Sequence, residues 1–137
     1  MASAEHGEGG VTARIRKLTV EDVTICVVPE CEDIDPEGQF DSGDKAADAK
    51  MAAQIREDME HNAWAWCCAR VDVTYRELTE TEYLGCCSYE NEAAFRGDHS
   101  YEGMVDAALA RLNDQVEGIV NDVLVSRFDP YAEEASP

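Results

Sequence analysis

The chain reads as an α+β protein: a small, mostly antiparallel sheet of three or four strands with two helices packed on one face, in β-α-β-β-α order. Three observations lead there. A β-branched run stands early in the chain, two strand-like segments follow one another across a short polar link, and two stretches carry apolar residues at helical spacing. The 137 residues, 45% of them apolar, suit one domain with one modest core.

The first strand is residues 23–28, Val-Thr-Ile-Cys-Val-Val, closed by Pro29, which offers no ladder donor. A shorter strand before it, over 11–18, sets Val11, Ala13 and Ile15 on one face. Residues 44–60 form a helix. Asp41, Ser42 or Asp44 caps it, five alanines between 46 and 53 supply propensity, and Met51, Ile55 and Met59 make its apolar stripe. Residues 63–76 and 82–89, joined by the polar 77–81, form an antiparallel hairpin. A turn centred near Glu77 sets Cys67 opposite Cys87 and Cys68 opposite Cys86, a match that one step of slippage would undo. A helical turn at 91–96 precedes the strongest helix, from 101 to about 127. There Met104, Val105, Ala108, Leu109, Leu112, Val116, Ile119, Val120 and Val123 recur at three-four spacing, behind Asp98 or Ser100 as cap. The domain covers 11–127; residues 1–10, rich in Gly and Glu, and 128–137 read as tails.

Charge narrows the function. Thirty Asp and Glu stand against eleven Lys and Arg, a net −19. Direct binding to nucleic acid or to an anionic membrane is not expected, because phosphate affinity depends on Lys and Arg displacing counterions. The longest uncharged apolar run, 63–69, falls far short of the roughly 20 residues of a membrane helix. The N-terminus has neither a basic start nor an apolar stretch, so no secretory signal is read and a cytoplasmic protein is expected. His6, His61 and His99 lie in no motif that sets them beside a Cys or Ser nucleophile, and Gly7, Gly9 and Gly10 lack the Lys and strand context of a phosphate cradle. Catalysis is not expected.

Six cysteines (Cys26, Cys31, Cys67, Cys68, Cys86, Cys87) are many for the length. Zinc sites present C-x₂₋₄-C pairs from tight turns, whereas two of these pairs are vicinal and point to opposite faces of a strand. Small apolar core residues in a reducing cytosol are the simpler assignment, with zinc and with redox or disulfide chemistry as the alternatives. Along 63–75, period-2 counting puts Ala63, Ala65, Cys67, Ala69, Val71, Val73 and Tyr75 on one face and Trp64, Trp66, Cys68, Arg70, Asp72 and Thr74 on the other. Either Trp64 and Trp66 fill the core, or they form an exposed aromatic patch for a partner.

The acidic loop carries a second pattern. Counted from Asp33, carboxylates fall at positions 1, 3, 5, 9 and 12 (Asp33, Asp35, Glu37, Asp41, Asp44), with Gly38 at 6 and Phe40 at 8. That is the ligand order of an EF-hand calcium loop. Glu at position 5, Pro36 at position 4 and Asp in place of the bidentate Glu at 12 depart from it. The other assignment is a solvated loop ending in a helix cap.

The run WAWCCARVDVT at 64–74, followed by YLGCCSY at 83–89 and Phe95, resembles a loosely defined group of small uncharacterised proteins of bacterial phages, plasmids and other mobile elements. The resemblance covers roughly residues 44–115 and carries no functional residues over; it implies a small cytoplasmic accessory protein. Mobile elements need inhibitors of host defence, whose nucleases present basic channels. The leading expectation is therefore an acidic inhibitor of anti-CRISPR or anti-restriction type that mimics DNA on a host protein's basic surface. Its carboxylates would be Glu30, Glu32, Asp33, Asp35, Glu37, Asp41, Asp44 and Asp48, with Glu57, Asp58 and Glu60 as a second stripe. A calcium-binding module through 33–44 and a scaffold acting through Trp64 and Trp66 are the alternatives.

Overall fold

Alternate residues of one strand carry the core. In Cys67–Tyr75 the side chains of Cys67, Ala69, Val71 and Val73 are no more than 1% exposed, while Arg70, Asp72 and Thr74 on the opposite face are half-buried. The computed structural model describes residues 16–128. This strand, β2, lies between β1 (Thr24–Glu30) and β3 (Leu78–Cys87) in one antiparallel sheet of order β1-β2-β3. Three helices complete the α+β fold: α1 (Lys45–Asp58), α2 (Glu92–Arg96) and α3 (His99–Phe128).

Small side chains on β2 let α3 approach closely. Met104, Val105, Ala108 and Leu112 of α3 are buried in one cluster with Val27, Ala69, Val71, Val73 and Phe95. The edge of this contact is polar and locked. Arg111 donates to Glu80 at 2.9 Å, to Glu82, and to the Thr81 carbonyl at 2.9 Å, while Gln115 donates to Glu80 at 2.9 Å. At one end, Phe95 stacks on Trp64 with centroids 5.1 Å apart and meets Tyr89 and Tyr101 edge-on at 5.2 and 5.5 Å. Further along α3, Asn113 brackets the backbone of Leu18, accepting its N–H at 2.7 Å and donating to its carbonyl at 3.2 Å.

Several expectations shift. The hairpin turn is Arg76-Glu77 alone, with Tyr75 opposite Leu78 and Arg76 at φ 57°. The supposed link 77–81 is mostly strand because its threonines find cross-strand partners: Thr79 with Thr74 at 2.9 Å, and Thr81 with Asp72 at 2.7 Å. The expected strand over 63–76 starts only at Cys67, since Ala63–Ala65 forms a 3-10 turn capped by Asn62. Residues 16–19 are not strand; Thr19 caps a 3-10 turn, Val20–Asp22. The rest of that expected strand, 11–15, and the tails at 1–10 and 129–137 lie outside the described residues, while Phe128 ends α3.

α3 covers β2 and β3, whereas α1 makes its main contacts with the 3-10 turn Ala63–Ala65. Its apolar stripe is too narrow to cover a sheet: Ala52 and Ile55 are buried, but Met51 is 52% exposed and Met59 37%.

Phe95 joins α2, α3, the 3-10 turn and the chain after β3, so truncating it leaves a cavity that no single element can fill. Phe95→Ala is expected to lower unfolding free energy by about 3–5 kcal/mol, read as a lower urea midpoint at unchanged m-value.

Candidate functional site

Between residues 31 and 60 ten carboxylates face Lys45, Lys50 and Arg56. The structure divides them into those that hold the fold and those left to solvent.

Glu32 belongs to the first group, and its work follows from an irregularity in the sheet. Ala69 pairs with Leu84 but Cys67 with Cys87, so Gly85 and Cys86 together face Cys68 across a bulge. Cys86 takes φ 56°, the left-handed region, and the ladder turns aside from its N–H. The Glu32 carboxylate accepts that N–H at 2.6 Å and the Ile34 N–H at 3.1 Å. Glycine stands at 85 because a Cβ there would lie 3.0 Å from Glu32 Oε1. These backbone donors, that of Cys86 foremost, hold the Glu32 carboxyl below its ordinary range.

Asp35 and Glu37 grip Arg56 of α1, each at 2.6 Å. The Glu37 N–H, at 2.8 Å, and then Arg56 keep the Asp35 carboxyl low as well. Asp44 caps α1 by accepting the Ala47 N–H at 3.1 Å. Asp48 accepts from the Ser42 hydroxyl at 2.7 Å, and Asp58 from Gln54 at 3.0 Å. Glu30 pairs with Arg70, which also meets Asp72 at 3.3 Å. Asp33, Asp41, Glu57 and Glu60 remain: all four are exposed, and among the described residues their side chains make no ion pair.

The calcium arrangement is not assembled. Gly38 does take a positive φ of 86°, but Asp35 and Glu37 close on a guanidinium and Asp44 on a helix N-terminus. Among the described residues no three His, Cys, Asp or Glu side chains are grouped to hold a metal ion. The local hydrogen bonds of Asp35, Glu37, Asp44 and Asp48 instead account for the loop.

The exposed tryptophan patch is likewise corrected. Trp64 and Trp66 are 8% and 5% exposed. Trp64 lies in the 3-10 turn, where period-2 counting fails, and joins the cluster that holds Cys67, whereas Trp66, extended and next to Cys67, lies outside that cluster. Trp64 enters the aromatic stack on Phe95. Trp66 packs near Phe40, with centroids 6.2 Å apart, and its indole N–H donates to the Ile34 carbonyl at 2.7 Å. It is the internal anchor of the acidic loop. The sheet face that Arg70 occupies is polar, with Thr74, Thr79, Thr81 and a 60% exposed Tyr83.

Sequence reasoning missed the arginines as organisers. Arg56, Arg70 and Arg111 each engage two acidic side chains. The excess of acids over bases is the available signal, since each scarce guanidinium offers a fork that two carboxylates can use.

No protein-family model, curated protein or solved structure matches the chain. No helix among the described residues is long and apolar enough to cross a membrane.

Two outcomes follow from this geometry. Buried indoles require tryptophan emission well to the blue of the solvent-exposed limit, shifting red on unfolding in urea. For pH, a carboxyl whose folded pKa is depressed contributes stability that is present above its unfolded value, about 4, and disappears as pH falls through the folded one. Glu32 and Asp35 are of this kind, as is Asp22, held to about 2 first by Arg16 and then by the Thr19 N–H. The urea midpoint should therefore drop as pH falls below about 4, and Glu32→Gln should make that drop shallower.

Proposed function

We propose that the protein is a non-catalytic acidic inhibitor, working in the cytoplasm, that occupies a basic nucleic-acid-binding surface of a host defence complex of CRISPR-effector or restriction type. The observation that carries the reading is the division of the carboxylates just described. Arg56 is already occupied by Asp35 and Glu37, so the exposed Asp33, Asp41, Glu57 and Glu60 add to the net −19 of the chain with no ion pair among the described residues. The loop over 31–44 sets six carboxylates and no Lys or Arg along the chain, while α1 balances its own three acids with Lys45, Lys50 and Arg56. Double-stranded DNA likewise offers negative charge along a line, at about 1.7 Å per charge. A surface of this sign is drawn toward a basic channel over long range, and the attraction weakens with salt.

The buried tryptophans support no scaffold acting through them, and the loop carboxylates support no calcium module. The mobile-element setting rests on the resemblance at 64–74 and 83–89, and the partner is therefore a host protein rather than nucleic acid itself.

The structure permits a charge-reversal test that spares the contacts holding the fold, because the four exposed carboxylates make no ion pair among the described residues. Protein carrying Asp33→Lys, Asp41→Lys, Glu57→Lys and Glu60→Lys is compared with a variant reversed at Glu102, Asp106, Asp114 and Glu117, exposed on α3. Wild type is expected to retain a basic nucleic-acid enzyme from bacterial lysate at low salt, to release it at high salt, and to lose it to competing DNA. The first variant should lose at least tenfold of that capture and the second should keep it. Equal loss in both variants would reduce the effect to bulk charge, and undiminished capture by the first would sink the proposed surface.

A further inference from the structure

β2 begins on one cysteine and β3 ends on another, and the two are partners across the last rung of the ladder, Cys67 opposite Cys87. Directly opposed residues of an antiparallel pair lie about 4.5 or about 5.5 Å apart at Cα, according to the type of rung. Both values fall within the roughly 4.4–6.8 Å that a disulfide spans. Both side chains belong to the same buried cluster, 1% and 4% exposed, so they point to the same side of the sheet. Their neighbours Cys68 and Cys86 sit in the bulge and are half-buried, whereas Cys26 and Cys31 are exposed and lie on or beside β1.

We propose that Cys67 and Cys87 are a redox-active thiol pair that closes to a cross-strand disulfide by exchange with a low-molecular-weight disulfide of the glutathione type. In the overall step the S–S bond of the small disulfide breaks and one S–S bond forms between Cys67 Sγ and Cys87 Sγ. The two thiol protons leave on the two small thiols, so two electrons pass from the protein to the small disulfide. Closure gives up the Cys87 thiol's contacts with the Leu84 carbonyl at 3.1 Å and the Gly85 carbonyl at 3.9 Å.

Position explains how a buried pair reacts. The pair is the terminal rung of the ladder, backed by the Tyr89 N–H donating to the Trp64 carbonyl at 2.7 Å, so the pair reacts when that end opens locally. Burial pushes the Cys67 thiol up to about 12 and raises that of Cys87. Since only the thiolate attacks, exchange is slow in the closed fold and accelerates with pH and with fraying of the rung. The bond then fixes the end of the hairpin at which Glu32 holds the bulge.

The test uses the full-length protein, held with oxidised glutathione at mildly alkaline pH, alkylated and mapped by peptide mass spectrometry. The expected product joins the segment around Cys67 to that around Cys87, with loss of two hydrogen atoms, and melts at a higher temperature than the reduced protein. Because each segment holds a vicinal pair, the Cys68→Ser/Cys86→Ser double variant decides the assignment: it should form the same bond to the same extent. Loss of the cross-link in that variant, a wild-type linkage through Cys68 or Cys86, or only glutathione adducts at Cys26 and Cys31 would overturn the proposal. Failure here leaves the acidic surface untouched, since none of these thiols belongs to it.

Discussion

The dry contact between β2 and α3 is the constraint on which the other features hang. Ala69, Val71, Val73, Ala108 and Leu112 are all 0% exposed, so the contact excludes water along its length. Seating a long helix on small residues fixes its distance from the sheet. It also places Arg111 beside the β3 edge, where Glu80 and Glu82 receive it. Once α3 is set, the aromatic stack of Trp64, Tyr89, Phe95 and Tyr101 closes one end of the sandwich, and Asn113 ties in the chain that leads to β1.

The acidic loop inherits its position from that frame through two contacts. Trp66 takes the Ile34 carbonyl, and Glu32 takes the N–H of Cys86. One is an indole donor reaching into the loop; the other is a loop carboxylate reaching into the sheet. Together they bind the loop to β2 and β3, as Arg56 binds it to the helix that follows. The bulge at Gly85-Cys86 is thus shared property: a local fault in the ladder, made tolerable by a charge 54 residues away in sequence.

Those long-range contacts mark the limit of what sequence conveyed. The antiparallel hairpin, its Cys67–Cys87 rung, the long C-terminal helix and the Asp44 cap all follow from local pattern, because turn chemistry and apolar period act within a few residues. The Cys68–Cys86 rung does not survive, since the bulge that displaces it depends on Glu32, which no count along 67–87 contains. Trp64 defeats period-2 counting because Asn62 starts a 3-10 turn there, and Trp66 is buried by Ile34 and Phe40 of the distant acidic loop. Met51, Ile55 and Met59 share a helical stripe, yet only Ile55 is buried, as the 3-10 turn beside α1 is too short to cover all three. At the candidate surface, composition announced the acidity but could not separate Glu32 and Asp35, which hold structure, from Asp33 and Asp41, which do not.

That separation bears on how a chain of net −19 stays folded. Arginine rather than lysine performs the internal neutralisation, and its planar fork lets one cation hold two carboxylates where a lysine acts as a point charge. Arg56, Arg70 and Arg111 each do so at a junction between elements: loop to α1, β1 to β2, and α3 to β3. Cations placed at junctions leave the exposed carboxylates of the loop uncompensated within it, since residues 31–44 hold no Lys or Arg. Because α1 rests on a single 3-10 turn and contributes only Ala52 and Ile55 to the buried interior, repulsion there bears little on the β2–α3 contact. The charge is carried where the fold depends on it least, which leaves it free to be met by a partner's cations.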